Sequence, residues 1–388
     1  MNNFEKANNI DNSHIAWLLT SAFFYWQSPM KSFSKLFPQT TVFTSRWHGF
    51  APGLEDSFRV QIVGKRKVIS LSKSSTGYGN NFTYLPVKII IHLLRFKPQV
   101  IFSNAFGVWT LLVLLFKPIG KWHVVIAHEG SSPSVDYRNF PLRLWLRRAM
   151  IKAADACITN AHAGKTYLTK ILYAPESHVF VHPYEIPAVS SLVGNHQQTQ
   201  SSSSLGHYPV FLFVGSLIPR KGLHLLLEAC CILCKQGYDN YTLKVVGDGE
   251  QRQELEAFSQ AHHLSSCVDW VGRVDYHHVG AYFQQADVFI LPTLEDTWGV
   301  VVLEAMALGK PVLCSQWAGA SELISNGETG YCFDPHHPKQ LAQLMRQFID
   351  HPSLATEMGD KAEQVMSQYT PEAAGQFFSQ VAHFVLNQ

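Results

Sequence analysis

Short, nearly all-apolar runs alternate with longer amphipathic stretches along the chain, and a polar, serine-rich interval divides them into two series. In the first series HIAWLLTS (14–21), TTVFTS (40–45), FRVQIVG (58–64), KVISLS (67–72), VIFSN (100–104) and WHVVIAH (122–128) read as strands. Between them, PMKSFSKLF and LPVKIIIHLLRFKP have helical length and spacing, the latter ending on Pro98. The second series opens with the buried strand VFLFVGS. It continues through YTLKVVGDGE, VDWVGRV and VFI, with helical stretches such as LIPRKGLHLLLEACCIL between. Strand and helix in regular alternation predict parallel α/β sheets. The final PEAAGQFFSQVAHFVL is a further amphipathic helix.

A chain of 388 residues suits two domains, each large enough for its own core. The expected division is residues 1–183, a serine-rich linker over 184–208, a second domain over 209–370 and a C-terminal helix over 371–388. Hydrophobic content of 46% with 15% charged residues excludes a disordered chain. MNNFEKANNIDNS has no basic stretch leading into an apolar core, so no signal peptide is expected, and VWTLLVLLF (108–116) is too short to span a bilayer. Seven cysteines without a secretion signal point to a reducing cytosol, and Cys231 and Cys234 read as helix positions, not metal ligands. The net charge of +2 hides an asymmetry. Through Pro183 there are 21 lysines and arginines against 8 acids, a balance of +13, while the remainder holds 10 against 21, or −11. Within the basic half, PLRLWLRRAMIK places Arg143, Arg147, Arg148 and Lys152 among Leu142, Trp145, Leu146 and Met150. That spacing suits contact with an anionic membrane surface as well as an ordinary half-buried helix.

The chemistry concentrates in LPTLEDTWGVVVLEAMALGKPV, Leu291 to Val312. Pro292 stops a strand, because proline cannot donate to a ladder. Glu295 and Asp296 make the following loop acidic. Gly299 then opens a short helix carrying Glu304, and Gly309 stops it. Backbone amides and the dipole at such a helix start favour an anion, and the carboxylates suit hydroxyls, so a phosphorylated sugar fits.

This stretch resembles the signature of family-4 (group 1) retaining glycosyltransferases. Their pattern is a glutamate, seven residues, then glutamate-alanine. Glu304-Ala305 matches its second half; Asp296 occupies the place of the first glutamate, with Glu295 beside it. The resemblance implies the GT-B fold, two Rossmann-like doubly wound domains facing each other across a cleft. Gly215, Ser216, Arg220, Lys221 and Gly222 resemble the family's diphosphate-binding turn, with Ser216 where an arginine is usual. Gly247-Asp248-Gly249 resembles a turn approached by ribose or base, and Arg273 follows a strand end that meets the base. Trp298 and Val300 flank Gly299 in the donor loop. His128 resembles the histidine that orients the donor sugar from the first domain, and Glu129 and Gly130 sit with it on the acceptor side. Ser21-Ala22-Phe23-Phe24 stands where many members carry a glycine-rich loop, so no phosphate role is assigned there.

These readings converge on transfer of a sugar from a nucleotide-diphosphate donor, UDP- or GDP-linked, to a hydroxyl of a carbohydrate or lipid-linked acceptor. The resemblance implies retention of anomeric configuration. Lys221 and Arg220 would stabilise the leaving diphosphate, Glu304 would hold the ribose, and Asp296 or Glu295 the transferred sugar. No aspartate pair has the D-x-D spacing that would hold a divalent metal, so neither metal nor cofactor is expected, and no nucleic-acid partner. The expected place is the cytoplasm or the cytoplasmic membrane face. Two alternatives stay open: an epimerase or phosphorylase on the same fold, and a binding subunit without turnover, the latter because of Ser216 and Asp296. A dinucleotide dehydrogenase is disfavoured, since no G-x-G-x-x-G follows a strand.

Overall fold

The computed structural model describes residues 12–20, 24–51, 53–72, 78, 80–186, 192 and 208–388. The chain forms two compact units: the first takes in Tyr78–Ile186 and Tyr369–Gln388 together with the N-terminal segment, and the second takes in Pro187–Gln368. Most of the serine-rich interval, and Ser21-Ala22-Phe23, lie outside the described residues.

Strands of the first unit are β1 Ile15–Leu19, β2 Thr40–Thr44, β3 Arg59–Ile62, β4 Lys67–Ser72, β5 Asn80–Tyr84, β6 Val100–Asn104, β7 His123–Ala127, β8 Ala156–Thr159 and β9 Val179–Val181. Seven of them make one parallel sheet in the order β3-β2-β1-β6-β7-β8-β9. Its central strands are covered on both faces, and β1 and β2 are buried throughout, which is why β1, IAWLL, reads as a continuous apolar run instead of alternating. One expectation fails here. KVISLS does not join this sheet but pairs antiparallel with β5 in a separate two-stranded ribbon. Val68 and Ile69 are about half exposed there, so β-propensity made a strand while no core claimed its apolar side chains.

Helix Pro371–Leu386 belongs to the first unit and packs along helix Gln27–Leu36. Gly375 allows the approach, because a Cβ there would lie 2.8 Å from Ser32 Cβ and 2.9 Å from Phe33 N. Phe378 enters an aromatic cluster, edge-on to Trp17 at 4.7 Å and to Phe33 and Phe102 at 6.0 and 6.2 Å, while Trp17 stacks on Phe102 at 4.3 Å.

Strands of the second unit are β10 Val210–Val214, β11 Thr242–Val246, β12 Val268–Gly272, β13 Val288–Leu291, β14 Val312–Ser315 and β15 Gly330–Phe333. All are parallel, in the order β12-β11-β10-β13-β14-β15. Counted from β10, this is the 3-2-1-4-5-6 order of doubly wound nucleotide-binding sheets, in which the order of strand addition reverses between β10 and β13. The carboxyl ends of those two strands form the natural crevice. Strand β15 falls in GYCF, a segment whose glycines and polar neighbours read as turns in sequence. It forms because β14 leaves an edge to pair with, and Gly330 is needed there: a Cβ would sit 2.0 Å from Val312 O.

Phe378 is fully buried, so Phe378→Ala should cost about 3–5 kcal/mol by cavity formation. Urea unfolding followed by tryptophan fluorescence, with Trp17 and Trp26 as local reporters, checks this. A loss under about 1 kcal/mol would mean that the C-terminal helix is not held by this cluster.

Candidate functional site

The turn after β10 and the loop after β13 are locked together in the second unit. Gly222 has φ +68°, and a Cβ on it would lie 2.0 Å from Pro292 O. Only glycine allows that backbone contact. The Arg220 carbonyl accepts from Leu294 N at 2.8 Å and from Thr293 Oγ1 at 3.0 Å. Returning the contact, the Arg220 guanidinium donates to Glu295 O at 2.6 Å. Lys221 Nζ meets Asp296 Oδ2 at 2.5 Å, and Arg220 Nη1 lies 3.7 Å from the same oxygen. These side chains are mostly buried. The cations and the carboxylate assigned to different parts of a ligand in the sequence therefore form one charge cluster.

The Asp296 loop is also held from the other side. Asp296 N donates to Trp317 O at 3.1 Å, and Asp296 O accepts from Gly319 N at 3.1 Å. Trp298 is buried, with no hydrogen-bond partner for its indole N–H among the described residues. Gly299 takes φ +95° as the residue preceding helix Val300–Ala307, in which Val300 is half-buried. The helix closes on a Schellman arrangement, Lys310 N to Ala305 O at 2.9 Å and Gly309 N to Met306 O at 3.1 Å, with Gly309 at φ +66°.

Glu304 points from this helix into a buried position and accepts from the Tyr276 hydroxyl at 3.0 Å. Burial pushes its carboxyl up to about 7, and the Tyr276 hydrogen bond opposes that rise. Tyr276 begins helix Tyr276–Gln285 and was missed in the sequence. A tyrosine at a helix start carries no motif, and only the sheet order brings it to Glu304.

Other expected donor residues serve the backbone. Gly247 and Gly249 are required by the 215–217 turn: their Cβ atoms would lie 1.9 Å from Gly215 O and 2.4 Å from Leu217 O. Asp248 O accepts from Leu217 N at 3.0 Å, and Gly215 N donates to Val246 O at 3.0 Å. Both glycines let this turn pack closely on the 215–217 turn. Ser216 and Arg273 are exposed.

In the first unit His128 directly follows β7 and is buried between Phe106 and Tyr167, at ring distances of 5.6 and 5.4 Å. Burial and the nearby Arg147 charge lower its pKa to about 3, so the imidazole is neutral throughout the physiological range. Its Nε2 has no partner among the described residues. Glu129 accepts from Asn104 Nδ2 at 3.1 Å through its side chain and from Asn160 Nδ2 at 3.0 Å through its carbonyl. Gly130 is buried beside it. Sequence reasoning also missed Asp136, fully buried with Ser131 and Arg138 on one oxygen at 2.7 and 2.8 Å. Burial raises its pKa against those bonds.

Residues 196–365 match the family described as glycosyl transferases, group 1. The chain is 37% identical over 156 residues to the D-rhamnosyltransferase WbpZ of Pseudomonas aeruginosa, which covers 39% of each chain. It is 23% identical over 239 residues to the alpha-D-kanosaminyltransferase of Streptomyces kanamyceticus, covering 61% of this chain and 62% of that one. The chain thus spans less than two thirds of the curated relatives it matches. Among solved structures it is similar to sucrose-phosphate synthase of Thermosynechococcus elongatus (TM-score 0.71, 17% identity, 97% and 99% of the two chains). It is also similar to Anabaena HepE in complex with UDP and glucose (TM-score 0.69, 18% identity, 97% and 100%). The fold is GT-B, built from two Rossmann-like α/β domains.

Glu304 makes stability depend on pH. Its folded-state value near 7 lies above the ordinary 4.5, so the folded chain binds the proton more tightly than the unfolded one. Its contribution is full below about pH 4.5 and is lost as pH rises through 7. The melting-temperature advantage of Glu304→Gln over wild type should therefore grow from pH 5 to 7 and level off above. Tyr276→Phe, which removes the opposing hydrogen bond, should extend the wild-type decline to higher pH. A pH-independent difference between Glu304→Gln and wild type would contradict this.

Proposed function

We propose that the chain is a glycosyltransferase that takes a sugar from a nucleotide-diphosphate donor bound by the second domain. The carrying observation is the convergence of Arg220, Lys221, Asp296 and the Gly299 helix start on the carboxyl ends of β10 and β13, at the reversal point of the sheet. The group 1 family match over the same domain and the UDP complex of a structural neighbour support it.

In this reading the diphosphate lies against the Gly299 helix start, where amides and dipole favour negative charge. Lys221 and Arg220 turn to the leaving phosphate as its charge develops, which is electrostatic catalysis without a required metal. Each gives up part of its pairing with Asp296, freeing that carboxylate for a hydroxyl of the transferred sugar; Glu295 is the neighbouring candidate. Glu304, kept partly ionised at neutral pH by Tyr276, accepts from the ribose hydroxyls. Retention of configuration comes with the family reading. The acceptor belongs to the first domain, at the loops after its strands where His128, Glu129 and Gly130 lie, and the pathway is glycan, polysaccharide or glycolipid synthesis.

A membrane-linked acceptor is favoured by helix Pro141–Ala153. Leu142, Trp145 and Leu146 are exposed on it, at 77%, 65% and 38%. The basic side differs from expectation. Arg147 donates inward to Val135 O and to Tyr167 Oη at 2.9 and 2.7 Å, and Arg148 to Ile171 O at 3.1 Å. Arg147 is thereby turned away from lipid phosphates, and Arg148 is anchored through its Nε alone. The exposed apolar side chains therefore carry any membrane contact, with Arg143 and Lys152 as the accompanying charge.

A thermal-shift screen against UDP, GDP, ADP and their sugar conjugates tests the donor site. At ligand one hundred times Kd, folded-state binding adds about 2.7 kcal/mol, a rise of roughly 5–11 °C for a domain of this size. Lys221→Ala and Glu304→Ala should each reduce it. No shift with any nucleotide, from a folded sample, would overturn the donor reading. On vesicles, Leu142→Ala/Trp145→Ala should lower sedimentation several-fold on anionic lipid; unchanged binding would remove this helix from the membrane reading.

A further inference from the structure

A cavity of about 410 Å³ opens at the amino-terminal ends of β8 and β9, the sheet edge opposite the strand-end loops carrying His128 and Asn160. Its floor is apolar: Ile151 from the last turn of helix Pro141–Ala153, Ala156 and Cys157 from β8, and Leu172 are all buried. The size falls within the range of small-molecule sites. The donor-site reading uses none of the lining residues.

The chain does unusual things to make this space. Residues Tyr167–Ile171 form a π-turn, closed by Leu172 N to Tyr167 O at 3.0 Å, an insertion that recurs at functional sites. Two residues later Tyr173 has φ +64°, a left-handed conformation that bulky residues rarely adopt. Tyr173 is 67% exposed, so core packing does not hold it there. Arg148 does. Its guanidinium lies 4.6 Å from the centre of the Tyr173 ring, and its Nε is anchored on Ile171 O at 3.1 Å. The ring and the guanidinium are thereby fixed beside one another on the cavity lining.

Charge on the lining is unbalanced. Its one carboxylate, Asp155, is taken up by Lys117 at 2.7 Å, by His123 at 3.4 Å and by the Val124 amide at 2.7 Å. Lys152 is exposed on the rim and makes no ion pair or side-chain hydrogen bond among the described residues. An apolar floor under Arg148 and an unpaired lysine matches a particular chemistry: an apolar body with a single anionic group. We infer that this cavity is a binding site for a small organic acid of that kind, its apolar body seated on Ile151, Cys157 and Leu172 and its anion held at the rim by Lys152 and Arg148.

The probe is 1-anilinonaphthalene-8-sulfonate, titrated into the full chain by fluorescence, with N-phenyl-1-naphthylamine as its uncharged analogue. Ala154→Phe fills the cavity from a half-buried lining position whose backbone is extended. Lys152→Glu reverses the rim charge from an exposed position and does not threaten the fold. Expected are saturable binding of the sulfonate to wild type, a loss of at least tenfold in affinity in Ala154→Phe, and a loss of at least tenfold in Lys152→Glu with less than twofold change for the uncharged analogue. The inference is overturned if wild type shows no saturable sulfonate binding, if Ala154→Phe with an unchanged melting temperature binds like wild type, or if Lys152→Glu leaves sulfonate binding intact or weakens both probes equally. The result is independent of nucleotide binding, so failure here leaves the donor-site reading where it stands.

Discussion

The second domain depends on one backbone contact, Gly222 against Pro292 O. The chain enters helix Leu223–Lys235 from β10 and leaves β13 through Pro292 at the same point, and a Cβ on residue 222 would occupy the space of that carbonyl. Proline stops the strand and its carbonyl faces the turn, while glycine lets the turn close on it. With the backbones seated, the neighbouring side chains have little freedom left: Arg220 must bond the Glu295 carbonyl and Lys221 must meet Asp296. The backbone contact thus brings the two cations and the carboxylate to one place.

The same logic explains why the carboxylates differ. Asp296 is buried but neutralised by two cations, whereas Glu304 is buried with a hydroxyl as its partner. Burial without a countercharge raises a carboxyl pKa, and Glu304 consequently titrates near neutrality. Two acids eight positions apart in one motif thus have different electrostatics. His128 follows the burial rule in the opposite sense, since desolvation of an imidazole favours its neutral form.

Much of the fold was legible because its strands are buried on both faces and its helices on one, so that each period is written locally. The local structure of the candidate site was legible too: β13 ends at Leu291, before Pro292, Gly299 precedes helix Val300–Ala307, and Gly309 closes that helix with a positive φ. Less legible were elements whose identity depends on neighbours. KVISLS has a strand's composition, yet its partner is a hairpin arm and not the main sheet. The arginines of helix Pro141–Ala153 suggested a solvated basic face, but Arg147 and Arg148 turned to carbonyls supplied by residues 135 and 171.

By itself the sequence determined the class of the molecule: two α/β domains, a doubly wound second half, and a carboxylate-rich loop running into a helix with a glycine at its start. Tertiary structure alone decided which side chains meet. Lys221 and Asp296 are 75 residues apart, and Tyr276 and Glu304 are 28 apart, so no local period relates them. They are joined because the sheet order places β13 beside β10, bringing distant loops to one edge. Hydrophobic periodicity records the face on which a residue is buried. It carries no record of the residue across from it, which only the order and register of the strands can fix.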